Sequence, residues 1–305
     1  MKYSEFIARL KPWMLPIAML CGVLLHSVID ALQFIAPYLI FTMLFITFCR
    51  IRPSEFRVGR LTWSVVGVQI LGGIAIYYAL RLLLGEDVAQ GAMICVLCPT
   101  ATAAPVITAM LGGSIAVLVS ISVLSNLGVA IVGPAFFALI DTGAGAHYTF
   151  IQSFGIILAK VGPMILAPMA AAMLLLRFWP KAHATVAGRQ SWSFYIWALS
   201  LIIVVGRAVS FAMAEPADRI PEMILLAAVA GVVCGAQFYV GRRLGARYGD
   251  RIAGAQGLGQ KNTVLAVWMA VTYLNPIASI APAAYIAWQN TLNSLQIYYK
   301  TRKGK

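Results

Sequence analysis

Two stretches of this chain bring together residue types that could do chemistry where few polar groups are tolerated. The first is Cys98-Pro99-Thr100-Ala101-Thr102-Ala103-Ala104-Pro105, in which two prolines frame two hydroxyls. The second runs from Gly254 to Thr263, where three glycines are interleaved with Gln256, Gln260, Lys261, Asn262 and Thr263. Each lies inside an apolar run. Proline removes a backbone donor and clashes with the preceding turn, while repeated glycine lowers helix propensity. Both stretches should therefore interrupt a helix. Taken singly, each interruption is equally a structural kink. As a pair, polar and at matching places, they point to a ligand site, and freed backbone at membrane depth is tolerated only when buried or lining a wet cavity. Lys261 is the most demanding residue of the set, because an ammonium deep in a bilayer needs partners.

The elements that must hold these stretches follow from composition. Of 305 residues, 61% are hydrophobic and 11% charged, far from the balance of a soluble domain. Apolar runs fall at about 12–29, 33–49, 62–84, 89–111, 114–140, 148–176, 191–213, 222–241, 252–274 and 277–298. The chain thus reads as an all-α integral membrane protein with ten transmembrane helices, the two polar stretches lying in the fourth and ninth. The first run follows Lys2, Arg9 and Lys11 as a signal peptide would, but no small-residue cleavage site follows it, and it is retained as a span.

The net charge of +13 is a topology signal, and no nucleic-acid partner is expected. Basic residues cluster in alternate connections: at the N-terminus, at Arg50, Arg52, Arg57 and Arg60, at Arg177, Lys181 and Arg189, at Arg242, Arg243, Arg247 and Arg251, and in the tail. The positive-inside rule then places both termini in the cytoplasm of a cell's inner (plasma) membrane. Arg219, beside Glu215, Asp218 and Glu222, falls outside, and Arg81, Lys160, Arg207 and Lys261 lie in or near spans. Arg81 is close enough to a span end to snorkel, Arg207 either snorkels or faces a cavity, and Lys160 reads as structural or cavity-facing. Dividing the chain into 1–147 and 148–305 leaves five spans in each half, so two similar halves would be inserted with opposite orientation, the inverted-repeat plan of many secondary transporters.

Other chemistries are poorly supplied. The five cysteines give no disulfide framework. Cys95 and Cys98 form a C-x-x-C that reads either as ordinary helix residues or as a redox or metal pair, with no second pair beside it. His26, His147 and His183 lie far apart, and no hydrolase or metalloprotease motif occurs, so no enzyme activity, metal or cofactor is expected. Gly231 and Gly235 read as helix-packing positions.

Several short motifs resemble the bile acid:sodium symporter family over essentially the whole chain. They are Gly67-Val68-Gln69, Cys98-Pro99-x-x-Thr102-Ala103, Gly259-x-x-Asn262, and Trp288-Gln289-Asn290 followed by Ser294-Leu295, the last similar to that family's Trp-His-Asn segment. The resemblance implies a panel of spans 1, 2, 6 and 7 and a core of the other six, with spans 4 and 9 broken and crossing. It also implies transport of organic anions, from bile acids to small carboxylic and keto acids, usually with two sodium ions. Most sodium ligands implied by the family are missing. Its Ser-Asn in the fourth span is Ala104-Pro105 here, a fifth-span serine is Leu118, the shared glutamate is Gly257, and a glutamine is Lys261. Gln69 and Ser122 remain as ion-site matches.

These readings lead to a secondary transporter of an organic anion by alternating access, sodium-independent, with Lys261 as cation surrogate. Thr102, Asn262, Gln289 and Asn290 are substrate-binding candidates from the resemblance, and Gln260 and Thr263 from their polarity. A permanently charged Lys261 implies uniport or exchange, and one that releases its proton admits proton coupling. The expected partners are the lipid bilayer, a small organic anion and, in the second mode, protons; the sequence leaves the oligomeric state open. A metalloid exporter of arsenite type and a substrate sensor built on a transporter fold are the alternatives. The topology is checked by cysteine labelling: positions in Asp141–His147 and Glu215–Glu222 should react from outside the cell, and positions in Arg177–Arg189 from inside.

Overall fold

The computed structural model describes residues 14–49, 56–101, 104–140, 150–214 and 216–303, nearly all of them helical. Helix α1 is Met14–Leu24, α2 Ala36–Cys49, α3 Arg60–Leu84, α4 Glu86–Leu97, α5 Ala104–Leu111 and α6 Ile115–Leu139. They are followed by α7 Phe150–Phe178, α8 Pro180–Gly188, α9 Gln190–Ala214, α10 Ile220–Tyr248, α11 Arg251–Gly259, α12 Thr263–Tyr273 and α13 Ile280–Lys303.

By length and composition, α3, α6, α10 (counted from Ala217) and the stretch of α7 from Phe154 can each cross a bilayer. A helix of 25 residues rises about 37 Å, more than the hydrocarbon thickness of a membrane. Helices α4 and α5, like α11 and α12, are each too short to do so alone and together fill one apolar run per pair. The reasons for the breaks are local. Pro99 forces the residue before it out of the helical region, and Cys98 is extended, with φ −54° and ψ 142°. At the second break the extended residue is Gln260, with φ −97° and ψ 105°, directly after Gly257-Leu258-Gly259. Asn262 then restarts the helix, its side-chain oxygen accepting from the Leu265 amide at 3.3 Å.

The structure departs from the simple run-per-helix reading in two places. The first run bends after Leu24, passing through a short helix His26–Ile29 and a 3-10 segment Asp30–Ile35 before α2. The connection between α7 and α9 is itself helical (α8), with Pro180 at its first turn, a position where proline's missing N–H costs nothing.

Helices α1, α2, α7 and α9 pack on one another, while α10 packs on α4, α11 and α13, and α3 on α4 and α6. Close approach of α10 and α11 depends on glycine: a Cβ on Gly254 would strike the backbone of Gly241 and Gly245. Gly231 lies under the indole of Trp288, whereas Gly235 faces open space, so only the first of these two is a packing position. Near one end of α4 the charged groups pair. Arg81 meets Glu86 at 2.8 Å, and Arg219 meets Asp87 at 3.1 Å and Glu222 at 2.7 Å. Arg81, read from the sequence as snorkelling, thus ends on a carboxylate. The Lys160 side chain lies outside the described residues.

The glycine contact sets a measurable expectation. Gly254→Val should destabilise the protein by about 1–3 kcal/mol or more through forced separation of α10 and α11. Gly235→Ala should leave the thermal unfolding temperature in detergent unchanged.

Candidate functional site at the paired helix breaks

The two interrupted stretches lie against each other and pair as a two-residue antiparallel bridge, Thr100 opposite Lys261. The Ala101 amide donates to the Gln260 carbonyl at 2.8 Å, and the Asn262 amide donates to the Pro99 carbonyl at 2.8 Å. A break leaves carbonyls at the end of the first half-helix and amides at the start of the second without intrahelical partners. In a bilayer these must be satisfied by protein, and many of those at the described residues are.

The carbonyls ending α4 are covered in sequence. Gln237 Nε2 donates to Cys95 O at 3.1 Å, Lys261 Nζ to Val96 O at 2.8 Å, and Gln69 Nε2 to Leu97 O at 2.7 Å and Cys98 O at 3.1 Å. The end of α11 is treated alike. Thr100 Oγ1 donates to Gly257 O at 2.7 Å and Tyr285 Oη to Gly259 O at 2.8 Å. Ser125 ties the two sets together, accepting from the Thr100 amide at 3.1 Å and donating to Gln69 Oε1 at 2.7 Å. The Cys98 thiol donates to Asn262 O at 3.0 Å.

Lys261 is 1% exposed. Its backbone is gripped by Gln289, whose Oε1 accepts from the Lys261 amide at 2.9 Å and whose Nε2 donates to the Lys261 carbonyl at 3.3 Å. The side chain therefore starts from a fixed point, and its Nζ sits at the C-terminal end of α4, bonded to the Val96 carbonyl.

Of the residues singled out from the sequence, Gln69, Gln260, Lys261, Asn262, Thr263 and Gln289 meet in this buried network. Thr263 opens α12, its amide donating to Lys261 O at 2.9 Å. Ser122 is buried on α6 one turn from Ser125, and its carbonyl accepts from Asn126 Nδ2 at 2.8 Å. Asn290 is turned onto its own helix, donating to Ile286 O at 2.6 Å. Thr102 lies outside the described residues. Ser125, Gln237 and Tyr285 are members of the network that neither charges nor helix breaks point to, although a serine and a glutamine inside apolar runs are themselves a signal.

Two atoms beside Lys261 are buried and have no hydrogen-bond partner among the described residues: Asn262 Nδ2, a donor, and Gln260 Oε1, an acceptor. The Asn262 amide is oriented by its cap, since only its oxygen can accept from Leu265. The surroundings of Gly257 are apolar. A Cβ there would stand 3.0 Å from Ile121 Cδ1 and Cγ2 and 3.5 Å from Leu118 Cδ1, and both of those side chains are fully buried.

The chain is a helical, multi-pass membrane protein. No family model matches it. It is similar to a Bacillus subtilis (strain 168) protein described as the uncharacterized sodium-dependent transporter YocS, being 24% identical over 260 residues, which cover 81% of this chain and 76% of that protein.

Thr100→Val tests the network, because it keeps the side chain's shape and removes its hydroxyl. Leaving Gly257 O unpaired in a buried setting should cost about 1–3 kcal/mol, read as a lowered unfolding temperature in detergent.

Proposed function

We propose that this protein is a secondary transporter of an organic anion, resembling the bile acid:sodium symporters, and that it works without sodium. The observation that carries this reading is the Lys261 ammonium, buried at the paired breaks and bonded to Val96 O at 2.8 Å. In the family that the sequence resembles, sodium ions and a glutamate occupy this region. A hard cation needs several oxygen ligands. The matching positions here are Gly257 and Leu118, with Ile121 packed against them, so the residues present do not fit a sodium ion. That holds although the B. subtilis relative is named as sodium-dependent.

The anion preference follows from charge and unmatched donors. Lys261 supplies a positive centre, and Asn262 Nδ2 is a buried donor with no described partner. The half-helices α5 and α12 begin beside the breaks, and a helix N-terminus favours negative charge. A carboxylate docking at the breaks would meet all three. Gln260 Oε1, an acceptor, suits a hydroxyl or water carried with it. Apolar side chains around the breaks would select the rest of the ligand. In alternating access the paired breaks move as one body, since their backbones are bonded to each other, and the panel of α1, α2, α7 and α9 is the surface they move against.

Purified protein in proteoliposomes tests the reading with a panel of carboxylates, from bile acids to small keto acids. At least one should be taken up equally in sodium and in potassium media. Lys261→Gln should weaken binding of that anion by about tenfold or more, the equivalent of losing one well-placed charge interaction, at every sodium concentration. Uptake by the parent that rises with sodium, or unchanged binding in the variant, would overturn the surrogate role.

A further inference from the structure

Helix α10 carries a stripe whose chemistry changes abruptly along its length. Leu225, Val232 and Tyr239, seven residues apart and so on one face, are all exposed, Val232 at 73% and Tyr239 at 58%. One turn beyond Tyr239 the same face becomes Arg242 and Arg243, with Ala246 one turn further on. An exposed apolar stripe that ends in an aromatic and then turns basic marks the passage from hydrocarbon to headgroups. At that level the ends of α10 and α11 flank an open pocket of about 280 Å³, lined by Tyr239, Arg242, Arg243, Ala246 and Arg251.

The charges lining this pocket, on Arg242, Arg243 and Arg251, are not balanced by a paired carboxylate among the described residues. The adjacent acid, Asp250, is turned to backbone amides: Oδ1 accepts from the Ile252 and Ala253 amides at 3.1 and 2.8 Å, and Oδ2 accepts from the Ser114 amide at 2.7 Å. Arg243 is held in place. Its Nε donates to the Tyr239 hydroxyl at 3.0 Å, and its guanidinium lies 5.1 Å from the centre of that ring. This leaves the two terminal nitrogens as a fork, the geometry that matches phosphate oxygens. Ala246 gives the pocket a small-residue wall.

We propose that this pocket binds the headgroup phosphate of an anionic phospholipid. Three guanidinium groups around one concavity repel each other, and a phosphodiester between them relieves that repulsion while accepting their hydrogen bonds. The exposed apolar stripe of Leu225, Val232 and Tyr239 leads directly away from the pocket along α10 and offers acyl chains a surface, which favours a lipid over free phosphate as the source of the group. The site is separate from the paired breaks and does not depend on what the protein transports.

Titration of the purified full chain in neutral detergent with a fluorescent phosphatidylglycerol tests the proposal. Binding should be saturable, absent with the matching phosphatidylcholine, and resistant to displacement by inorganic phosphate at the same concentration. Removing the charges in Arg242→Gln/Arg243→Gln/Arg251→Gln should weaken it roughly fivefold per arginine. Arg177→Gln, a basic residue elsewhere, should leave it unchanged. If the triple variant does not fold, Arg251→Gln alone should weaken binding roughly fivefold. Equal binding by the arginine variants and the parent would overturn the site. Displacement by equimolar inorganic phosphate would overturn its assignment to lipid.

Discussion

Two backbone hydrogen bonds, Ala101 to Gln260 and Asn262 to Pro99, each 2.8 Å, fix how the two broken stretches meet, and much of the interior is arranged around that meeting. A helix that stops inside a bilayer exposes carbonyls which no water can reach, and each would cost several kcal/mol if left alone. The chain answers with side chains drawn from distant helices. Gln69 comes from α3, Ser125 from α6, Gln237 from α10, and Tyr285 and Gln289 from α13. Each is buried, and each is committed to backbone at or beside a break. These polar side chains are the cost of having two breaks there, and they lock the breaks in one relative position.

Within that arrangement Lys261 differs from the other donors in bringing an amine, the one basic group in the network. Glutamine or threonine could cover a carbonyl as well as an ammonium does. An ammonium also offsets the negative ends of two half-helices, α4 and α11, that terminate close together. The apolar packing of Leu118 and Ile121 around Gly257 complements this: no carboxylate competes for Lys261 from that side. Around Gly257 the space a larger side chain would need is filled by Ile121 and Leu118.

The sequence made the breaks legible because their causes are local. Pro99 and the glycines from 254 to 259 act on their own backbone, and Asn262 is a cap residue next to its helix. The buried lysine stood out for the same reason, being a charge in an apolar run. Partners were not legible. Nothing within α13 says that Tyr285 ends on Gly259 O, and nothing near Gln289 says that it grips Lys261, because those pairings depend on helix packing across the molecule. Asn290, a candidate by resemblance, turns back on its own helix instead. The bend after Leu24 and the helix Pro180–Gly188 were missed where mean hydropathy is a blunt guide, since a short helix and a kink barely alter composition. Gly231 and Gly235 look alike in sequence and separate only when Trp288 is seen against one of them.

The carbonyl of Val96 finds its partner 165 residues further along the chain, and this has a consequence for how the protein is made. At synthesis rates of about 5–20 residues per second, that separation is roughly 10–30 seconds. During that interval α4 has been built but Lys261, Tyr285 and Gln289 have not. The first half therefore cannot settle in its final form as it emerges, since its broken stretch would face lipid with carbonyls uncovered. Until Lys261 and α13 are made, those carbonyls need water or another partner. Assembly of this protein therefore joins segments made far apart in time, with the stretch around Lys261 and then α13 supplying the partners that α4 and α11 lack.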